Sequence, residues 1–202
     1  IKGNFDDCQN IVKTVFTSMN NLRNIKLSSA NSINIGRLLP QIIYYFYAYF
    51  KMVNQNEILY GESINVVVPT GNFGNILACY IAKKMGLFIN KIICASNENN
   101  ILTDFFNTKI YNCNRPFYLT NSPAMDILIS SNLERLLFII TDGNYKLVDK
   151  LMKDLKEKNS FYLPKQYHSQ IDDFLAYSIC NKETLFYIRD CFEKYNYLID
   201  PH

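Results

Sequence analysis

Apolar residues recur at Cys8, Ile11, Val12, Val15, Phe16 and Met19, the i, i+3, i+4, i+7, i+8 and i+11 spacing of an amphipathic helix, with Asp6 or Asp7 placed to cap it. After a polar stretch from Asn20 to Asn34, the positions Leu38, Leu39, Ile42, Ile43, Phe46 and Phe50 predict a second, Tyr-rich helix to about Gln55, irregular at Pro40. Asn54 to Glu62 reads as a loop. Ile64 to Val68 is dominated by β-branched residues and is stopped by Pro69, which predicts a buried strand of a parallel sheet. A small-residue turn from Thr70 to Asn75 leads into a helix from Ile76 to Met85 that Gly86 ends. Lys91 to Ala95 is a second β-branched strand. The strand cores at Ile64 and Ile92 start 28 residues apart, close to the roughly 30 of a strand–helix–strand unit. The pattern therefore favours an α/β fold with a parallel sheet.

Downstream, Ser122-Pro123 is a cap-then-proline start, and Ala124, Ile127, Leu128, Leu133, Leu136, Leu137 and Ile140 predict a helix to about Thr141. Leu147, Val148, Leu151, Met152 and Leu155 predict another, whose opposite face carries Lys146, Lys150, Lys153 and Lys156 and reads as solvated surface. Asn159 to Tyr167 is expected to be loop, and Glu183 to Tyr195 a last helix through Leu185, Ile188 and Phe192. No internal repeat or domain boundary is visible, so residues 1–202 are read as a single α/β region.

Composition narrows the function classes. Hydrophobic residues make up 49% and charged residues 19%, with 7 Gly and 6 Pro, which excludes a disordered tail or a collagen-like rod. A net charge of +3, from 21 basic against 18 acidic side chains, is too small for a nucleic-acid or anionic-lipid footprint. Neither nucleic acid nor a membrane is expected as a partner. The most apolar run, Leu38 to Phe50, falls short of the roughly 20 residues of a spanning helix. The chain starts at Ile1 with no secretory-signal pattern, so either the start is processed or this is a piece of something longer. Six cysteines lie far apart with no two-residue spacing and read as reduced core thiols of a cytoplasmic protein. With only His168 and His202 to join them, no metal site is expected.

The strongest local signal is Pro69-Thr70-Gly71-Asn72-Phe73-Gly74-Asn75, a turn between a strand and a helix. There the first helical N–H groups lack internal partners and the helix dipole presents its positive end, which favours an anion. Gly71 and Gly74 allow positive φ and close approach of backbone to a phosphate; Thr70, Asn72 and Asn75 offer side-chain donors. The turn lacks the lysine of a P-loop and the three glycines of a dinucleotide fingerprint, and a plain geometric turn remains the competing reading. The loop Ser96 to Asn100 lies at the same carboxyl end of the sheet, where open α/β folds bind ligands. A second cluster, Asn31 to Arg37, sets Ser32, Asn34 and the guanidinium of Arg37 before the Tyr-rich helix; it suits either a surface cap or a phosphate clamp. A single-strand RNA-binding GXXG loop at Gly71 to Gly74 is disfavoured, because the loop carries no Lys or Arg.

Several segments, in order, resemble threonine synthase, a pyridoxal-phosphate enzyme of the tryptophan-synthase-β-like fold. They are Asn31-Ser32-Ile33-Asn34-Ile35-Gly36-Arg37-Leu38-Leu39-Pro40-Gln41, Val68-Pro69-Thr70-Gly71-Asn72-Phe73-Gly74-Asn75-Ile76-Leu77-Ala78, Cys94 to Asn100 and Ser122 to Arg135. The resemblance runs from Phe5 to about Phe138, fades from Thr141 to Lys182, expected to be a variable insertion, and returns at Tyr197-Leu198-Ile199-Asp200-Pro201-His202. It implies an open, mostly parallel sheet with helices on both faces. It also implies that Gly71, Asn72, Phe73, Gly74 and Asn75 hold the phosphate of pyridoxal 5'-phosphate, and that Ser32, Asn34 and Arg37 face the phosphate of O-phospho-L-homoserine. The implied reaction takes O-phospho-L-homoserine and water to L-threonine and phosphate, with the cofactor as electron sink.

Two family features are expected outside this chain: the lysine that carries the cofactor, upstream in an aromatic-flanked apolar segment, and the hydroxyl that meets the pyridine nitrogen, just after His202. No residue of this chain is therefore assigned as catalytic. The remaining part of the enzyme is needed to complete the site, and the segment alone is expected to make no threonine. The alternative from a different class is a non-catalytic binding module that retains a phosphate or pyridoxal-phosphate pocket.

Overall fold

The computed structural model describes residues 2–3, 5–18, 27–29 and 34–202. Elements follow in the order α1 (Phe5–Ser18), α2 (Ile35–Leu38), α3 (Gln41–Asn54), β1 (Ile64–Pro69), α4 (Gly74–Lys84), β2 (Ile89–Ser96), α5 (Ile101–Thr108), β3 (Ile110–Asn112), α6 (Leu133–Ile140), α7 (Tyr145–Lys158), β4 (Ser160–Tyr162), β5 (Phe174–Ser178) and α8 (Asn181–Tyr195). The expected Tyr-rich helix is two pieces: α2 ends at Leu38 and α3 begins after Pro40, whose ring removes a helical N–H and fixes φ at −61°.

Strands β1, β2 and β5 form a parallel sheet with β2 in the centre. The expected strand–helix–strand unit is β1–α4–β2. Register pairs Val66 with Ile92, Val68 with Cys94, Ile92 with Phe174 and Cys94 with Ala176, so these residues share one face. Helices α4 and α5 cover that face together: Phe174 stacks on Phe106 of α5 at 4.7 Å and tilts against Tyr80 of α4 at 5.3 Å. Ile76, Leu77, Ala78, Cys79, Tyr80 and Ala82 are all buried, so α4 is enclosed on nearly every side.

The opposite face of the three strands is open, with Val67 and Tyr177 each 61% exposed and Leu175 38%. This corrects the expected fully buried first strand. β1 alternates between covered Val66 and Val68 and exposed Asn65 and Val67, because it is an edge strand with one face covered. A run rich in β-branched residues does not distinguish burial on one face from burial on two. The described helices α4 and α5 lie on the same face of these three strands.

Three further expectations change. The helix foreseen from Ser122 to Thr141 is a 3-10 turn at Pro123–Met125, a non-helical stretch 126–132 and then α6. Asp126, Ser130 and Asn132 direct their polar groups to other loops, which competes with helical hydrogen bonding. The loop expected from Asn159 to Tyr167 contains β4, which pairs antiparallel with β3 and stacks Phe161 on Tyr111 at 5.3 Å, and the start of a 3-10 turn at Lys165–Ile171. Strand β5 and helix α5 carry too few residues for their periodicity to be read from sequence. The lysine face of α7 is exposed as expected, with Lys153 paired to Asp149 at 2.7 Å. All six cysteines are free thiols, Cys79 and Cys94 fully in the core. Among the described residues no helix is long and apolar enough to cross a membrane, and no group of His, Cys, Asp or Glu could hold a metal.

Candidate anion-binding site

The turn after β1 is held in place by its side chains and leaves its backbone donors open. Thr70 donates its N–H to Ala95 O at 2.9 Å and its hydroxyl to Val68 O at 2.7 Å, which ends the strand. Gly71 accepts the Ser130 hydroxyl at its carbonyl. The carbonyl of Asn72 accepts the N–H of Asn132 at 3.1 Å and its side-chain amide at 2.9 Å, while Asn72 Oδ1 accepts from Gln9 at 3.1 Å and Ser131 at 3.3 Å.

Phe73 caps α4 in the left-handed region, φ 64° and ψ 8°. For a residue with a bulky side chain this conformation costs about 1–2 kcal/mol. Its ring is buried, stacked 5.9 Å from Phe106 and tilted against Phe174 at 6.0 Å. Burying a phenyl ring contributes about 3 kcal/mol or more, so the anchored ring outweighs the backbone cost. The expected roles of the glycines are corrected accordingly: neither Gly71 nor Gly74 has positive φ. Gly71 is glycine for lack of room. A Cβ there would meet Ala124 O and Ile127 Cδ1 at 3.0 Å and Met125 Cα at 3.1 Å.

Among the described residues, no backbone N–H from Gly71 to Ile76 donates a hydrogen bond to protein. These groups surround a cavity of about 220 Å³ lined by Gln41, Thr70, Gly71 to Ile76 and Ala124, at the N-terminal end of α4. Successive free N–H groups and the positive end of a helix dipole make an anion site.

Two of the three side-chain donors expected around the same point, those of Thr70 and Asn75, are engaged elsewhere. Thr70 is turned to its own strand, and Asn75 Nδ2 donates to Gln41 Oε1 at 3.0 Å while its Oδ1 accepts from Tyr45 at 2.5 Å. Burial pushes the Tyr45 phenol up, which keeps it a donor. Asn75 thus presents only its N–H to the cavity, and its amide locks α3 to α4.

Of the second cluster, Ser32 lies outside the described residues. Asn34 caps α2: its Oδ1 accepts Gly36 N–H at 2.9 Å and its Nδ2 donates to Ser29 O at 3.0 Å. Arg37 is exposed on the last turn of α2, and its carbonyl accepts the Gln41 side chain at 2.9 Å. Since Gln41 lines the cavity, α2 is one side chain away from it.

The expected loop Ser96 to Asn100 serves as a brace. Asp126 accepts Asn97 Nδ2 at 2.8 Å, Asn99 Nδ2 at 3.0 Å, and the Thr120 hydroxyl and N–H at 2.7 and 2.9 Å. This buried knot holds the Pro123–Met125 turn that walls the cavity at Ala124. Gln9, Gln41, Ala124, Ser130 and Asn132 were not foreseen as parts of the site. Each reaches the turn from a distant segment, and nothing in their local spacing marks them.

No protein-family model matches the chain. Threonine synthase-like 1 of Homo sapiens is 40% identical over 210 residues, covering all of this chain and 28% of that protein. Threonine synthase of Saccharomyces cerevisiae is 38% identical over 216 residues, covering all of this chain and 41% of the enzyme. The crystal structure of PLP-bound threonine synthase from Brucella melitensis superposes with a TM-score of 0.85 at 41% identity, covering 100% of this chain and 42% of that one. The chain therefore spans between about a quarter and two fifths of the proteins it matches. From end to end, it is similar in sequence and fold to one continuous part of the threonine synthases.

Proposed function

We propose that the turn from Gly71 to Asn75 and the first turn of α4 hold the phosphate of pyridoxal 5'-phosphate, and that the chain is the cofactor-phosphate part of a cytoplasmic threonine synthase. That enzyme converts O-phospho-L-homoserine and water to L-threonine and phosphate. The observation that carries this reading is the run of free backbone N–H groups from Gly71 to Ile76 around one cavity at a helix N-terminus.

The bound cofactor supplies an electron sink for carbanions formed on the substrate. This chain's residues bind and orient it. Each N–H bond to a charged phosphate oxygen contributes about 1.5–3 kcal/mol, so three or four make a tight site. Phe73 fixes the turn, Gln41 and Asn75 hold α3 against it, and Ala124 closes the wall. No cavity-lining side chain is an acid or base in the working pH range; the proton-transferring lysine is assigned to a part of the protein outside this chain. Arg37, presented by α2, is the charged contact for the substrate phosphate.

The test compares pyridoxal phosphate with pyridoxal binding to the full-length protein and follows phosphate release from O-phospho-L-homoserine. About 100-fold or greater preference for the phosphorylated form is expected, lost in Gly74→Val, with turnover in the native protein. Arg37→Met is expected to raise KM for the phosphorylated substrate more than it lowers kcat. Equal affinity for the two pyridoxal forms overturns the reading; tight binding without turnover identifies a binding module instead.

A further inference from the structure

We infer that His202 is a positioning residue for the phosphate cradle, acting through Ala124; this rests on the reading of the Gly71 to Asn75 turn as the cofactor-phosphate site. His202 lies 78 positions from Ala124 in sequence, yet the N–H of Ala124 points to its Nε2 at 3.2 Å. A backbone N–H only donates, so Nε2 is the acceptor and the ring proton sits on Nδ1. Nδ1 then donates to Asp200 Oδ1 at 2.6 Å, and the same oxygen accepts the His202 N–H at 2.8 Å. Asp200 thereby selects the tautomer that leaves Nε2 open to Ala124.

Ala124 is held by His202 on its N–H side and abuts Gly71 on its carbonyl side, where that carbonyl is 3.0 Å from the place a Gly71 Cβ would occupy. The far end of the same short turn is fixed by the buried Asp126 knot. Gly71 is the first residue of the cradle, and its own carbonyl is tied to Ser130. Releasing Ala124 at its His202 end lets the wall behind Gly71 shift, which spoils the convergence of the N–H groups on one anion. His202 does not line the cavity, so it acts on the phosphate only through the turn.

The experiment uses the full-length protein and three variants. His202→Leu removes both ring contacts, His202→Gln places an amide oxygen where Nε2 can be replaced as acceptor, and Asp200→Asn weakens the tautomer control. The readouts are the ratio of pyridoxal-phosphate to pyridoxal affinity and hydrogen exchange at the Ala124 amide. His202→Leu is expected to lower the ratio about tenfold, the effect of about one hydrogen bond, with pyridoxal affinity itself unchanged and faster exchange at Ala124. His202→Gln is expected to restore both, and Asp200→Asn to shift them less in the same direction. An unchanged ratio in His202→Leu, or an equal loss of affinity for both pyridoxal forms, overturns the positioning role. A native ratio near one overturns the cofactor reading itself and this role with it, and is distinguished from the first failure by being seen in the native protein.

Discussion

The carbonyl of Asn72 accepts two hydrogen bonds from Asn132, one from its backbone N–H at 3.1 Å and one from its side-chain amide at 2.9 Å. Asn132 is fully buried at the start of α6, 60 residues from Asn72. The pair ties the Asn72 carbonyl to protein donors, while the N–H groups on either side of it find no protein acceptor.

Replacing Asn132 with alanine removes one of these bonds and the Oδ1 acceptor that Arg135 uses. We expect a loss of about 1–3 kcal/mol in stability, read by urea denaturation, and weaker binding of pyridoxal phosphate with little change for pyridoxal. A variant that melts earlier but keeps the native preference for the phosphorylated form would show that Asn132 is only a stabilising residue.

Gly71→Ala places a methyl group 3.0 Å from Ala124 O and Ile127 Cδ1. One of these neighbours is backbone and cannot rotate away, so overpacking is expected to cost about 1–3 kcal/mol and to displace the Pro123–Met125 turn. A thermal melt within about 1 °C of the native protein, less than even a 1 kcal/mol loss would shift it, would show that the turn yields freely.

Asp126→Asn keeps shape and reverses one acceptor. The amides of Asn97 and Asn99 and both donors of Thr120 point at this carboxyl group, so a carboxamide NH2 meets donors whichever way it is flipped. A loss of about 2–4 kcal/mol is expected. Asp126→Asn should also raise exchange at the Thr120 amide, which bonds Oδ2 directly.

Burial pushes the thiol of Cys94 up to about 11 and that of Cys79 up to about 12. The unfolded thiol titrates near 8.5. Between about 8.5 and 11 the folded chain keeps a proton that the unfolded chain releases, so this part of the stability is complete below the unfolded value and is lost as pH rises through the window. Stability should fall by up to about 1.4 kcal/mol per pH unit for each thiol above pH 9. The Cys79→Ala, Cys94→Ala double variant should show a flatter profile between pH 8 and 9.5, and a slope as steep as the native one would sink this account. The same burial predicts that neither thiol reacts with iodoacetamide at pH 8 until the protein unfolds.

What was legible in the sequence were features carried by local spacing. The β1–α4–β2 unit follows from two β-branched runs and the helix between them, and the turn at its centre follows from small residues after a proline. The motif resemblance pointed to the same turn. The missed elements β3, β4 and β5 are three to five residues long, and they become strands only by pairing with partners far away in sequence. The broken helix after Ser122 was misread for a related reason: its apolar period is real, and Asp126, Ser130 and Asn132 override it by bonding to loops that periodicity does not show.

At the site itself, sequence singled out the turn proposed to hold the phosphate, since a glycine-containing turn between strand and helix exposes N–H groups wherever it occurs. Tertiary structure alone decided which groups point inward. Phe73 takes the left-handed conformation because its ring has a place in the core, Gly71 is glycine because Ala124 stands against it, and the side chains of Thr70 and Asn75 are drawn away by Val68 and Gln41. Each of these depends on contacts between segments distant along the chain, and without those contacts none of these residues has a definite direction.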